Sequence, residues 1–397
     1  MAGGLLLLLS LRTSCAPVLG FEWEYSRQPG VAGAGGGSAC EHARWPDPPS
    51  AEDSGADDVE FVVAFRSVSY GEGDVEPDSA VGYDLDDRCT CQGEGPSCAG
   101  PETTEPYECD GPAGRDNAIA QLFDAIQGIY PDYTSEAATQ DIAEGGWTVL
   151  VRVREYNGQP NDARVVVAVY PSSGLDKDPC HPEDEPPRWN GADRWPVASF
   201  SVQGPAGSGG SGGAGSASGG AAGAGGLDCE GASGYDVDAP IYVDENAYVA
   251  DSVLVASMPR TGISFTGDGG DRTIILQAGF LSAKIELEAG DWVLRDGTIT
   301  GRWALTDLLG FIGKLRPADD ALCIGHPVYE LMRGIVCRYP DITADVAAPT
   351  APCDALSAAI AFDADPAELG IVFEAGTPNE PICPPETDPA GDDCARD

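Results

Sequence analysis

The stretch Gly82–Asn117 (GYDLDDRCTCQGEGPSCAGPETTEPYECDGPAGRDN) sets Cys89, Cys91, Cys98 and Cys109 among too few apolar side chains to build a core. Such a segment holds one shape only through cross-links, because it lacks the apolar burial that otherwise offsets chain entropy. The chain carries 13 cysteines in 397 residues, a usage that belongs to an oxidising compartment. Four close thiols are also a formal Zn²⁺ set. The Cys-x-Cys step and unequal gaps fit no zinc ribbon or knuckle, however, so disulfides are the expected chemistry. Cys89 and Cys91 are expected to take different partners. Cys323 and Cys337 flank a predicted helix and are the next expected pair, with Cys383 and Cys394 a further candidate.

Charge narrows the partners. Asp and Glu number 65 against 22 Lys and Arg, a net of −43. That surface repels phosphate backbones and anionic lipid, which argues against nucleic acid as a partner. It attracts cations, Ca²⁺ above all, whose ligands are carboxylates and carbonyls. The plainer consequence is that an exported protein stays soluble.

The first twenty residues read as an export signal. Met1–Leu11 is a leucine-rich run too short to span a bilayer. Cys15, in LRTSC, resembles the lipidated cysteine of a bacterial lipoprotein signal, although Arg12 departs from that pattern. The alternative is an ordinary signal cleaved near Ala16. With Cys15 lipidated, the remaining twelve cysteines can all pair. Any membrane association is then expected only through that anchor, with the protein outside the cell or in its outer envelope.

Residues 21–58, rich in Gly, Pro and acids, read as a disordered tether apart from anything Cys40 anchors. Residues 59–203 follow as the first part of a β scaffold. Glu60–Val68 is a predicted strand, and Asp116–Tyr130 a predicted helix capped by Asp116 or Asn117. Gly146–Tyr156 alternates with Trp147, Val149, Val151 and Val153 on one face, and NGQPND turns it into Ala163–Tyr170. Arg194–Gln203 is another strand. Residues 204–226 are almost wholly Gly, Ala and Ser, read as a low-complexity insertion or linker, with insertion favoured. Residues 227–375 supply strands at Ile241–Val249, Ser252–Met258, Thr273–Ala278, Ser282–Glu288, Trp292–Leu294 and Leu369–Glu374. Helices are expected at Ala304–Leu315 and Pro327–Tyr339, and residues 376–397 form an acidic tail with Cys383 and Cys394.

Short strands with Gly/Asp turns and two or three small helices predict a mainly β protein. The expected form is an antiparallel β-sandwich, similar to concanavalin-like or laminin-G-like jelly rolls. Taken together, GYDLDDRCTC, CDGPAGRDNA, EYNGQPNDARV, PRWNGADRW, NAYVADSVLVA, DGTITGRW and CDALSAAIAF resemble a group of secreted, cysteine-rich lipoproteins predicted in myxobacteria. No activity is assigned to that group, so the resemblance implies location and disulfides rather than a reaction.

Two constellations carry candidate chemistry. Asp84, Asp86 and Asp87 precede the cysteines, and Asp110, Asp116 and Asn117 follow them. Disulfides that fold the segment back bring these groups together, and such crowding is relieved by a cation, with Ca²⁺ the expected ion. The EF-hand spacing is absent, and capping and turn-forming Asp with Arg88 or Arg115 as salt partners is the structural alternative. Trp189, in PPRWNGADRW, is the loop tryptophan best placed to stack on a ligand. Signatures of catalysis are sparse. His42 lies in the tether, His181 and His326 each precede a proline in loops, no HExxH motif is present, and the GxSxG match Gly209–Gly213 lies inside the glycine tract. Glu286 and Glu288 alternate, but Asp291 falls at the wrong offset for a one-strand glycosidase motif. The expected function is therefore a non-enzymatic binding or adhesion module for a saccharide or protein. A carbohydrate-active hydrolase with carboxylates on facing strands is the alternative.

Overall fold

The computed structural model describes residues 40–50, 58–73, 80–100, 109–128, 133–182, 185–204, 231–265, 272–315, 321–348, 351–375 and 382–394. The expected signal, Cys15 and the glycine tract lie outside the described residues.

Strand β1 (Val59–Ser69) is followed by helices α1 (Ala118–Ile126) and α2 (Ser135–Glu144), then by the hairpin β2 (Thr148–Tyr156) and β3 (Asp162–Ser172). Next come β4 (Arg194–Ala198), β5 (Val202–Gln203), β6 (Asp236–Pro240), β7 (Val243–Ala250), β8 (Val253–Phe265), β9 (Arg272–Glu288) and β10 (Asp291–Ala304). The chain closes with α3 (Leu305–Gly313), α4 (Pro327–Val336), β11 (Ala355–Pro366) and β12 (Glu368–Phe373).

Eight strands form one antiparallel sheet in the order β1-β11-β10-β9-β8-β7-β3-β2, and β2 returns to β1. The protein is mainly β as expected, but the sheet is a closed barrel where two packed sheets were expected. The reason lies in the long strands. Thr273–Ala278 and Ser282–Glu288 read as separate strands divided at Ala278–Gly279, yet they are one 17-residue strand, β9. The Gly signal marks a bulge: Ala278 has φ +46°, and the register with β10 shifts between Thr300 and Arg302. A Cβ on Gly279 would lie 2.1 Å from the Thr300 carbonyl oxygen, so only glycine fits the close approach. A second irregularity at Asp296–Gly297 shifts β10 against both neighbours. Bulges bend and coil long strands, which lets a single sheet meet its own edge and leave none exposed.

The alternation that marks β2 places Trp147, Val149, Val151 and Val153 in one core with Val165, Val167 and Val169 of β3. Leu356, Ala358, Ile360 and Phe362 of β11 join that core, and Phe362 stacks on Phe65 at 3.9 Å. A smaller core lies on the other side of the sheet, where Ala64, Leu150, Ala168 and Tyr170 meet Trp195, Val197, Val202 and Val372. The last four belong to the parallel pair β4–β12 and to β5. Strands on both sides of the 204–226 tract share the barrel, since β3 pairs with β7.

The cysteine segment crosses the sheet over β9, β10 and β11. Tyr83 Oη meets Ser282 Oγ at 2.7 Å, Arg302 donates to the Leu85 carbonyl at 2.6 Å, and Ala118 N–H donates to Ser357 Oγ at 2.8 Å. Five disulfides staple the described chain: Cys40–Cys89, Cys91–Cys109, Cys98–Cys353, Cys323–Cys383 and Cys337–Cys394. Cys89 and Cys91 do take different partners. The expected pairs Cys323–Cys337 and Cys383–Cys394 do not form. The ten-residue helix α4 separates the first pair by about 15 Å of rise, beyond the ~7 Å that a disulfide tolerates between Cα atoms. The tail instead runs back along α4 and bonds to each end of it. Where residues 40–50 were expected in the tether, Cys40 anchors them, Trp45 stacks on Phe280 at 3.8 Å, and Pro46 accepts a hydrogen bond from Tyr248 at 2.6 Å.

Candidate metal centre

The segment is shaped by backbone bonds as much as by sulfur. Ala43 N–H donates to Ala113 at 2.7 Å, Asp84 N–H to Ala43 at 2.9 Å, and Asp116 N–H to Tyr83 at 3.0 Å. Three short pieces, around residues 43, 84 and 115, are thereby laid side by side. Gly114, at φ +70°, permits the tightest approach, since a Cβ there would lie 2.7 Å from the Arg88 carbonyl.

This arrangement brings carboxylate oxygens of Asp84, Asp86 and Asp116 within 4.8 Å of one another. Asp84 and Asp116 are buried, at 5% and 2% exposure. Asp84 Oδ1 accepts from the N–H groups of Asp86 and Arg88, both at 3.2 Å, and its Oδ2 meets His42 Nδ1. Asp116 Oδ2 accepts from Leu85 N–H at 2.6 Å, and Asp86 Oδ1 from Arg88 N–H at 3.0 Å.

Ionising so many groups together is costly. Burial first, then the charges of Asp86, Asp341 and Asp110, holds Asp116 well above the ordinary carboxylate range. Burial also raises Asp86, with Ser97 opposing and the Asp84 charge adding. Asp110 is pushed up to about 7 and Asp341 to about 6, in both cases chiefly by burial. Arg302, buried on β10, is the nearby countercharge. Its guanidinium donates to the carbonyls of Leu85 and Thr343, both at 2.6 Å, and forms no ion pair with Asp86 or Asp116 among the described residues. Crowded hard oxygens, imperfectly neutralised, take up either protons or a cation.

The six expected ligands divide. Asp84, Asp86 and Asp116 converge. Asp110 lies beside them but is spent on Thr90 N–H. Asp87 turns outward at φ +59° to pair with Arg44 on the surface. Asn117 joins two elements: Nδ2 donates to Tyr70 at 2.9 Å and Oδ1 accepts from Ala359 N–H at 3.0 Å. Asp341 and Arg302 escape sequence reasoning, since both come from distant parts of the chain without a local motif. Cys89, Cys91, Cys98 and Cys109 are each in a disulfide, so no four-cysteine zinc cluster exists here.

Trp189 is half-buried. Its ring lies 5.8 Å from Trp195 and 6.0 Å from the Arg66 guanidinium. Its φ of +52° is held by Asp193, whose carboxylate accepts the N–H groups of Arg188 and Trp189 at 2.9 and 2.6 Å. His181 bonds the Glu185 carbonyl at 2.7 Å, His326 caps α4, and Glu288 pairs with Arg295 at 2.9 Å. No family model matches the chain, and no curated protein or solved structure matches it either.

Proposed function

We propose that this protein is an exported binding module: a disulfide-stapled barrel that carries a Ca²⁺ ion among Asp84, Asp86 and Asp116 and presents loops to a saccharide or protein. The observation that carries this reading is the convergence of three carboxylates within 4.8 Å, two of them buried. A divalent cation there offsets the burial and repulsion that otherwise favour the protonated forms of Asp86 and Asp116, and Ca²⁺ suits an all-oxygen set. Export is supported by the cystine content. No helix of the described residues is long and apolar enough to cross a membrane. The barrel encloses the larger apolar core, and its outer face is covered in part by the smaller core around Trp195 and in part by the cysteine segment over Ser282 and Arg302. In this reading Trp189, steadied by Asp193 and Trp195, is the ligand-facing aromatic.

The test is a saccharide array probed with the full chain in Ca²⁺ and again in chelator. Binding that disappears in chelator and in Trp189→Ala supports the proposal. No ligand, together with a melting temperature unchanged by Ca²⁺, overturns it.

A further inference from the structure

A second set of ligands surrounds Asp84 on its other side. His42 Nδ1 and Cys89 Sγ lie 3.7 Å apart, and with an Asp84 oxygen all three atoms fall within 4.8 Å of one another. Cys40, two residues before His42, is bonded to that same Cys89 sulfur. Four potential ligands of one ion thus meet at a point: two sulfurs, an imidazole nitrogen and a carboxylate. We propose that reducing Cys40–Cys89 creates a tetrahedral Zn²⁺ site from Cys40, Cys89, His42 and Asp84, so that the disulfide is the stored form of a metal site.

Dimensions favour this. Zn–S bonds of about 2.3 Å and Zn–N bonds of about 2.0 Å put sulfur and nitrogen ~3.6 Å apart on a tetrahedral edge. The observed 3.7 Å is already that edge. The ion takes the place of the hydrogen bond between His42 Nδ1 and Asp84; the two sulfurs must separate, and the His42–Asp84 contact must widen to a tetrahedral edge. Thiolates with imidazole select Zn²⁺ over Ca²⁺, whose ligands are oxygens. This site shares Asp84 with the calcium site but does not depend on it.

The chemistry balances with an external dithiol as reductant. One thiolate of the dithiol attacks the half-buried Cys40 sulfur, and the buried Cys89 leaves as a thiolate 3.7 Å from His42 Nδ1. The second thiolate then displaces Cys40, and the dithiol departs as its own disulfide. Zn²⁺ binds both sulfurs as thiolates and releases any protons they still hold.

The experiment uses the full oxidised chain, titrated with a phosphine reductant in the presence of Co²⁺ as a spectroscopic stand-in for Zn²⁺. Alkylation and peptide mass mapping follow which cysteines open. The expected result is a thiolate-to-cobalt charge-transfer band, with the visible bands of a tetrahedral ion, appearing as Cys40 and Cys89 become alkylatable. The band should be absent from the Cys40→Ala/Cys89→Ala double variant. His42→Ala should weaken Co²⁺ by about tenfold or more, whereas Asp116→Asn, which removes a calcium ligand outside this set, should leave the cobalt spectrum in place; together they separate failure here from failure of the calcium site. Reduced Cys40 and Cys89 without the cobalt spectrum, or a spectrum indifferent to His42→Ala, would overturn the proposal.

Discussion

Removing one charge from the crowded carboxylates should stabilise the calcium-free protein, and only where those carboxylates are ionised. Asp110→Asn is the cleanest perturbation, because an amide oxygen can still accept the Thr90 N–H that Asp110 holds. Burial, with the charges of Asp86 and Asp341, pushes the Asp110 carboxyl from 3.8 up to about 7. The folded state therefore binds this proton more tightly than the unfolded chain does. Its contribution is fully present below about pH 4 and is lost as the pH rises through about 7. Each tenfold gain in proton affinity is worth about 1.4 kcal/mol, so the ceiling is ~4 kcal/mol; because Asp110 is only half-buried, screening reduces this to ~1–2 kcal/mol. Urea unfolding of both proteins in chelator, at ~0.15 M salt to suppress general charge repulsion, reads the difference. Asp110→Asn should match the native sequence near pH ~4 and exceed it by ~1–2 kcal/mol near pH ~8. A variant that loses ground as the pH rises would refute the reasoning, because it would mean that ionised Asp110 is stabilising.

Other substitutions probe the frame. Arg302→Met removes the buried cation and its bonds to Leu85 and Thr343; unfolding in urea should show a loss of about 2–3 kcal/mol, from two buried carbonyls left without their donor. Gly279→Ala drives a Cβ to 2.1 Å from the Thr300 carbonyl, and the bulge should lose about 3 kcal/mol, read as a drop in thermal midpoint. Asn117→Ala breaks the ties to Tyr70 and Ala359. It should cost ~2 kcal/mol in urea unfolding without altering Ca²⁺ affinity, which would identify Asn117 as structural.

The sequence is most legible where local pattern and burial agree. The β2–β3 hairpin announces itself through period-two valines around NGQPND, and α1, α3 and α4 through apolar residues at helical steps. Strand β11 is hidden because ALSAAIAF has the composition of a helix; its strand state comes from lying between β1 and β10. Helix α2 offers the Thr134 N-cap and a left-handed Gly145 after its end, but it buries only Ala138 and Ile142, so no apolar stripe marks it. Barrel closure is hidden for another reason. A glycine that permits a bulge and a glycine that makes a turn look alike in sequence, and Ala278–Gly279 is the former. Within the candidate centre, the local density of Asp around the cysteines points to Asp84, Asp86 and Asp116. It cannot separate them from Asp87 and Asn117, since the direction of each side chain is set by contacts with residues as distant as Arg44 and Ala359.

Equilibrium dialysis of the oxidised full chain against radiolabelled Ca²⁺ is the most direct measurement. One tightly held ion per chain is expected, released by chelator, displaced as the pH falls, and lost in Asp84→Asn and Asp116→Asn variants that keep the barrel's circular-dichroism spectrum. Ca²⁺ uptake that is absent, or that survives both substitutions, would contradict this expectation.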